Sequence, residues 1–395
     1  MTNINQYDFV ISGGGLVGCT TALELSKKGF KCCLIEKNNI RETIKTNEFH
    51  PLSLNYRSIV LLKQFGIWEN MTDAFYPITD LTIKSYNSLN RVTFSAEEIS
   101  LNYLGCVVDR YKLLHTIRSL ILNNESIIIY DESEINNIEE KNNLELHISN
   151  NKHIHTKHLI VSDGINSKLK ESMSIKSKMI DYSQVSFIYN CQATFENNHA
   201  LQLFNRYGVF AAIPYNKKSI NLIMTIKKEY LKKFFQNDAI DLLLIKSIFN
   251  GFVSNIHSLN LISKYDLVTS RANEIYKNNI LLLGNSSQLL HPVGAQGYNL
   301  SLRNLESLLN YCGTQNREIS VNFKNLANSI NKDRLSVFNN IDFATKIFIN
   351  DKIPSKITSL IMITLLKTSS DLKNMFLKKI LGIDKYSYLQ IKGDT

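Results

Sequence analysis

Ser12-Gly13-Gly14-Gly15-Leu16-Val17-Gly18 follows an apolar run, Tyr7 to Ile11, and opens a stretch with helical spacing through Leu16, Ala22, Leu23 and Leu25. A second apolar run, Cys32 to Ile35, ends at Glu36. Strand, glycine turn, helix and strand in about 30 residues predict the dinucleotide-binding unit of a Rossmann-type α/β fold. The glycines do different things. Gly13 permits the tight turn, Gly15 lets the backbone approach a pyrophosphate, and Gly18 lets the helix pack close to the strand. The pyrophosphate would sit on the helix N-terminus at Leu16 and Val17, where unpaired N–H groups and the positive end of the helix dipole favour an anion. Glu36, about twenty residues past the first glycine, is placed to accept hydrogen bonds from ribose hydroxyls.

A second glycine segment lies near the other end. The apolar run Ile280 to Leu283 delivers Gly284-Asn285, which leads into His291-Pro292-Val293-Gly294-Ala295-Gln296-Gly297-Tyr298-Asn299-Leu300. Asn285 would stand at the carboxyl end of a buried strand, where doubly wound sheets bind ligands, within reach of a sugar or ribityl hydroxyl. Gly294 and Gly297 form a loop of little bulk ahead of a helix expected from Tyr298 to Tyr311. That helix N-terminus would stabilise negative charge on a reduced flavin without any acid or base. Together the two segments point to FAD.

Between them, Ser58 to Trp68 and Leu113 to Leu122 read as helices, and Ser126 to Tyr130, Leu144 to Ser149 and His158 to Val161 as strands, the last ending at Asp163-Gly164. Leu81 to Tyr86 and Val92 to Ser95 alternate as strands do. Long strands at Val185 to Phe195, Leu201 to Pro214 and Ser219 to Ile226 predict an inserted, mostly antiparallel sheet. The expected division is a discontinuous FAD-binding domain (1–75, 101–177 and 272–320), a substrate-binding sheet domain (76–100 and 178–271) and a helical C-terminal region (321–395).

Composition bounds the rest. The 395 residues are 44% hydrophobic, enough for sizeable cores, with a net charge of +10. Lys and Asn are scattered throughout, so most of that charge reads as compositional bias, and no aromatic-basic motif supports nucleic-acid binding. Cys19, Cys32, Cys33, Cys106, Cys191 and Cys312 form no CxxC pair and no metal-ligand cluster, which suits a reducing compartment. No metal is expected. The first strand is expected by residue 7, with no charged and apolar signal pattern before it, so export is not expected, and Ile357 to Leu366 is too short to cross a bilayer. The expected location is cytoplasmic, peripheral on the inner face of the cell membrane. Lys352, Lys356, Lys367, Lys373, Lys378 and Lys379, interspersed with Ile357, Leu360, Ile361, Leu365, Leu366, Met375, Phe376 and Ile380, form a basic amphipathic tail suited to an anionic surface.

The GxGxxG unit, Asp163-Gly164 and the Gly284-Asn285 segment with its HPxxxQGxNL continuation occur in the order found in single-component flavoprotein monooxygenases. The chain resembles the FAD-dependent aromatic hydroxylases of ubiquinone biosynthesis over nearly its whole length. Ala96-Glu97-Glu98, Leu104-Gly105-Cys106-Val107-Val108, Asp333-Arg334, Thr345 to Phe348 and Leu381-Gly382 are similar to the 2-polyprenyl-6-methoxyphenol hydroxylases in particular. The resemblance implies that NADPH or NADH, as transient co-substrate, reduces FAD, that O2 adds at flavin C4a, and that the hydroperoxide hydroxylates a polyprenylated phenol. The absence of a second GxGxxG unit suits a passing reductant.

The resemblance also implies that Pro292 and Gln296 position the flavin, and that Asp163 and Gly164 serve flavin and nicotinamide alike. Gly284, Asn285, Gly294, Gly297 and Asn299 would line the cofactor, with Arg110 reaching it from a helix start. Two positions depart from the family. His50 stands where an Arg is usual, so either His50 takes that place or Arg57 substitutes. Asn285 stands where the wider class often has Asp, keeping hydrogen bonding and losing charge. Two other readings follow from the same residues: another FAD-dependent oxidoreductase on an isoprenoid or aromatic substrate, or a non-catalytic FAD-binding member of a ubiquinone-biosynthesis complex. Trp68, the only tryptophan, cannot supply the Trp-rich motif of flavin halogenases.

Overall fold

Tyr7, Phe9, Val10 and Ile11 are all buried, so the strand Gln6–Ser12 is apolar on both faces, as a central parallel strand must be. The computed structural model describes residues 6–42, 48–71, 75–85, 91–149, 151–236, 239–313, 323–349 and 353–384. Gln6–Ser12 pairs in parallel with Cys32–Ile35 on one side and Lys152–Val161 on the other; Ile127–Tyr130 and Ile280–Leu282 extend the sheet outward, also in parallel. A hairpin, Ile135–Glu140 and Leu144–Ile148, continues it antiparallel along the first half of Lys152–Val161. Helix Leu16–Lys27 crosses over from the first strand to the second. Its buried residues share one core with helix Arg110–Leu122.

The second sheet runs Gln288–Leu289, Val253–Ala272, Ser177–Phe195, Ser219–Lys227, Gly208–Pro214, His199–Asn205, Asp80–Ser85 and Arg91–Ser95 in spatial order. Its pairs are antiparallel except His199–Asn205 with Asp80–Ser85. One face packs against Phe234, Ile245 and Phe249 from short helices. A three-stranded sheet, Pro51–Asn55, Gly105–Asp109 and Phe75–Ile78, lies beside it.

Several sequence expectations change. Leu201 to Pro214 is a hairpin rather than one strand, turned at Arg206-Tyr207, where the Asn205 side chain accepts from the Tyr207 N–H at 2.9 Å and Gly208 takes φ +150°. Tyr and Arg in the turn hid it. The 20-residue strand Val253–Ala272 had no clean alternation to announce it, because much of its length is exposed on both faces. The helix expected from Ser58 to Trp68 starts earlier and stops sooner, at Tyr56–Gln64, with Asn55 capping through the Ser58 N–H at 3.0 Å. The helix expected from Tyr298 begins two residues earlier, spanning Gln296–Cys312. Tyr86 and Lys352 lie outside the described residues.

The C-terminal region is helical: Phe323–Ile349, Ile353–Thr368 and Ser370–Leu381. Arg334, on the first of these, is fully buried and donates to the Ser287 and Ala272 carbonyls, each at 3.0 Å. It fastens the helix to the end of the second sheet and to the Gly284 loop. No helix among the described residues is long and apolar enough to cross a membrane.

Candidate flavin-binding site

Gly13 has φ +104°, and a Cβ there would lie 2.7 Å from the Ser162 carbonyl oxygen. At Gly18 a Cβ would lie 1.9 Å from the Gly13 carbonyl oxygen, so helix and turn touch backbone to backbone. A Cβ at Gly15 would meet nothing within 4 Å. Two of the three glycines are thus closed in by protein backbone and the third opens outward. Gly15 is also the N-cap of helix Leu16–Lys27, and no side chain caps it. Its first N–H groups, beside half-exposed Leu16 and Val17, are left for an anion.

Glu36 is buried at the end of its strand and accepts from the Gly14 N–H and, at 3.0 Å, from the Asn38 N–H. A carboxylate has about four acceptor positions, so two remain for ribose hydroxyls. Arg118, from helix Arg110–Leu122, donates to the Gly14 carbonyl at 3.0 and 3.3 Å. No sequence motif marks Arg118; only the helix register brings its cation to the glycine loop.

The second segment meets the first directly. Gly284 has φ +66°, and a Cβ there would press on Val17 at 3.2 to 3.4 Å. Asn285 beside it is exposed. Beyond buried His291, whose Nε2 lies 3.0 Å from Gln184 Oε1, the chain turns through Pro292 and Gly294 at φ +67° to Ala295 at φ +50°. Ala295 is the N-cap of helix Gln296–Cys312, again with no side-chain cap. A Cβ at Gly297 would meet nothing within 4 Å. Gln296 donates to the Ile380 carbonyl at 3.4 Å, joining the loop to the last helix. Asn299 is buried inside the fold: its amide donates to Ala295 at 2.7 Å and Ser53 at 3.1 Å, and its oxygen accepts from the Asn55 N–H at 3.0 Å. It braces the loop from behind.

Asp163 is exposed, with its carboxylate accepting from Ser167 Oγ at 2.9 Å, and Gly164 has φ +98° with open space around it. Protein around Asp163 strips part of its hydration and raises its pKa. His50 is half-buried; its N–H donates to Asp109 at 3.0 Å and its ring meets Tyr111 edge-on at 4.7 Å. Arg110 is exposed at its helix start, its backbone N–H donating to the His50 carbonyl at 2.9 Å. Arg57 does not substitute for the expected arginine: its guanidinium is buried in an ion pair with Glu306 of helix Gln296–Cys312.

These residues fit a bound dinucleotide: two uncapped helix N-termini, a buried acid with spare acceptors, and an unhindered Gly15 and Gly297. Fold and site together define a flavoprotein of the FAD-dependent monooxygenase class. The model of the FAD binding domain family matches residues 6–310, and the chain belongs to that family. Its relatives include ubiquinone hydroxylase UbiM of Neisseria meningitidis, 21% identical over 95% of this chain and 84% of that protein. The mitochondrial ubiquinone biosynthesis monooxygenase COQ6 of Dictyostelium discoideum is 22% identical over 77% of this chain and 76% of that protein. Among solved structures, p-nitrophenol 4-monooxygenase PnpA from Pseudomonas putida superposes with a TM-score of 0.75 at 13% identity, covering 96% of this chain and 99% of that one. The flavin-dependent brominase Bmp2 reaches 0.73 at 15% identity, covering 98% of each chain, so the fold alone does not separate hydroxylation from halogenation.

Proposed function

We propose that the chain is an NAD(P)H-dependent hydroxylase of a polyprenylated phenol in ubiquinone biosynthesis. The observation that supports the cofactor half is the close approach of Gly284 to Val17, which brings the start of the second glycine segment against the first. The substrate half rests on the relatives, whose names specify ubiquinone hydroxylation and ubiquinone biosynthesis. FAD, when bound, supplies reductive oxygen activation. The protein's part is to hold and shield. The N–H groups at Leu16 and Val17 hold the pyrophosphate, Glu36 holds the ribose and Asn285 the ribityl chain. The N-terminus of helix Gln296–Cys312 stabilises negative charge at the ring's edge. Pro292, Gln296 and His50 fix the ring's position, Asp163 and Gly164 border the route of the passing nicotinamide, and Arg110 lies at the rim. None of these side chains needs to move a proton.

The last helices support membrane loading of such a substrate. On Ile353–Thr368, Ile357, Leu360, Ile361 and Leu365 are each about half exposed and recur at three- and four-residue steps, with exposed Lys356 and Lys367 on the same helix. Lys373, expected on the basic face, instead turns back to pair with Glu98. The proposed partner is an anionic bilayer surface.

The test is a visible spectrum of the purified protein, then NAD(P)H oxidation with and without a short-chain 2-prenyl-6-methoxyphenol under labelled dioxygen. A flavin spectrum, phenol-stimulated oxidation and one labelled oxygen in the product are expected. Bound flavin with no labelled product would remove the hydroxylase reading. Sedimentation with anionic liposomes at low salt, lost in L360E/I361E, tests the docking separately.

A further inference from the structure

The hairpin Ile135–Glu140 and Leu144–Ile148, with the first half of Lys152–Val161, has one face in the core and one in solvent. Leu144, Leu146, Ile148 and Ile154 point inward and are buried. By alternation, Glu145 and His147 share the outer face, and the antiparallel register sets His147 directly opposite His153 and Glu145 opposite Glu139. One ligand atom from each of Glu145, His147 and His153 lies within 4.8 Å of the others. The two imidazole rings are 4.3 Å apart, His153 Nδ1 is 3.4 Å from Glu145 Oε1, and Glu139 Oε1 is 3.1 Å from His147 Nε2. Among the described residues, this is the one place where three metal-ligating side chains converge.

We propose that this face binds a divalent transition-metal ion, with zinc the best match, through His147, His153 and Glu145. Two neutral imidazoles and a carboxylate are a zinc donor set, and bonds of about 2.1 Å place neighbouring ligand atoms about 3.4 Å apart. Closing from 4.8 Å needs only small rotations of side chains on a fixed backbone. Glu139 stands where a carboxylate orients a ligating imidazole. The cluster already attracts a cation, because the Lys141 ammonium sits 2.6 Å from Glu145 and 3.2 Å from Glu139; the metal would displace it. The site is remote from the flavin cleft: His153 precedes Val161 by eight residues, about 26 Å of strand. Bound there, the ion would pin Leu144–Ile148 to Lys152–Val161.

Zinc titration of the full-length flavoprotein by calorimetry tests this, with Cu(II) as a spectroscopic probe of the same ligands. One micromolar-range zinc site is expected, with nitrogen hyperfine from two imidazoles in the copper spectrum and affinity falling as acid competes for the ligands. H147N and H153N should each weaken zinc at least about 10-fold, leaving flavin content and the metal-free melting temperature unchanged. Equal zinc affinity in the doubly substituted H147N/H153N protein, or no uptake by the parent protein at equimolar zinc, would overturn the assignment.

Discussion

Gly15 and Gly18 stand three residues apart and tolerate change in opposite ways. Gly15 has extended backbone geometry, φ −79° and ψ −177°, and space beyond its Cα, so Gly15→Ala should leave apoprotein stability within about 0.5 kcal/mol while weakening FAD. Gly18→Ala drives a methyl into the Gly13 carbonyl and should cost about 1–3 kcal/mol or more before any cofactor is added. Urea unfolding of the apoproteins followed by FAD titration separates the two; equal apoprotein stabilities would refute this division. These roles are legible in the sequence because they belong to the backbone, and glycine spacing encodes backbone geometry. The neighbouring side-chain roles are not. Arg57 and His50 are alternatives for one expected place in the sequence, and the tertiary pairing of Arg57 with Glu306 is not visible there. Arg118 reaches Gly14 from a separate helix that the periodicity does announce, but nothing in the sequence marks this contact.

Elements are legible where their periodicity is clean and one-sided. The parallel strands read as apolar blocks, and the helix after the second glycine segment starts within two residues of its expected position. Val253–Ala272 is hard to read because it leaves the core for most of its length, and the metal-ligating face because its ligands come from two strands and meet only through register. Asp333-Arg334 stands out as a motif, and the structure supplies its mechanics. Asp333 pairs with Arg303 at 3.0 Å, while Arg334 is buried and satisfied by the Ser287 and Ala272 carbonyls and by Asn331. Burial, with Arg271 nearby, lowers its pKa to about 10, still charged at neutral pH. Arg334→Met would orphan those buried carbonyls and should cost about 3 kcal/mol. Because Ser287 closes the Gly284 turn, flavin should dissociate at lower urea than the fold itself unfolds. Arg334→Lys keeps the charge without the fork and should recover only part of the loss. Unfolding monitored in parallel by flavin and tryptophan fluorescence checks this; superimposable flavin release in parent and variant would show that Arg334 does not support the loop.

At the scale of the whole molecule, two buried histidines stand at the joins between its parts. His158, on the parallel sheet, lies between Phe9 at 5.1 Å and Phe323 of the first C-terminal helix at 4.9 Å. His291 joins the second loop to the inserted sheet through Gln184. Desolvation lowers His158 to about 4 and His291 to about 3. In the unfolded chain both would titrate near the ordinary value of about 6.5. Between that pH and the folded values, the unfolded state binds protons that the native state refuses, so stability is complete above about pH 6.5 and drains as pH falls towards 4. Each site contributes about 1.4 kcal/mol per pH unit across its window, a few kcal/mol apiece, against a typical total of about 5–15 kcal/mol. Lost hydration raises Glu24 and Asp163, which pick up protons first in the native state and so oppose the trend over part of the same range. The informative quantity is therefore a difference between two proteins. His158→Phe keeps an aromatic ring between Phe9 and Phe323 and removes one titration, so its stability should fall with a slope shallower by about 1.4 kcal/mol per pH unit between about pH 6.5 and 4. Urea unfolding at half-unit pH steps measures both slopes. Parallel curves would mean that His158 is already charged in the native join between sheet and helix, and that the two parts meet more loosely than their packing implies.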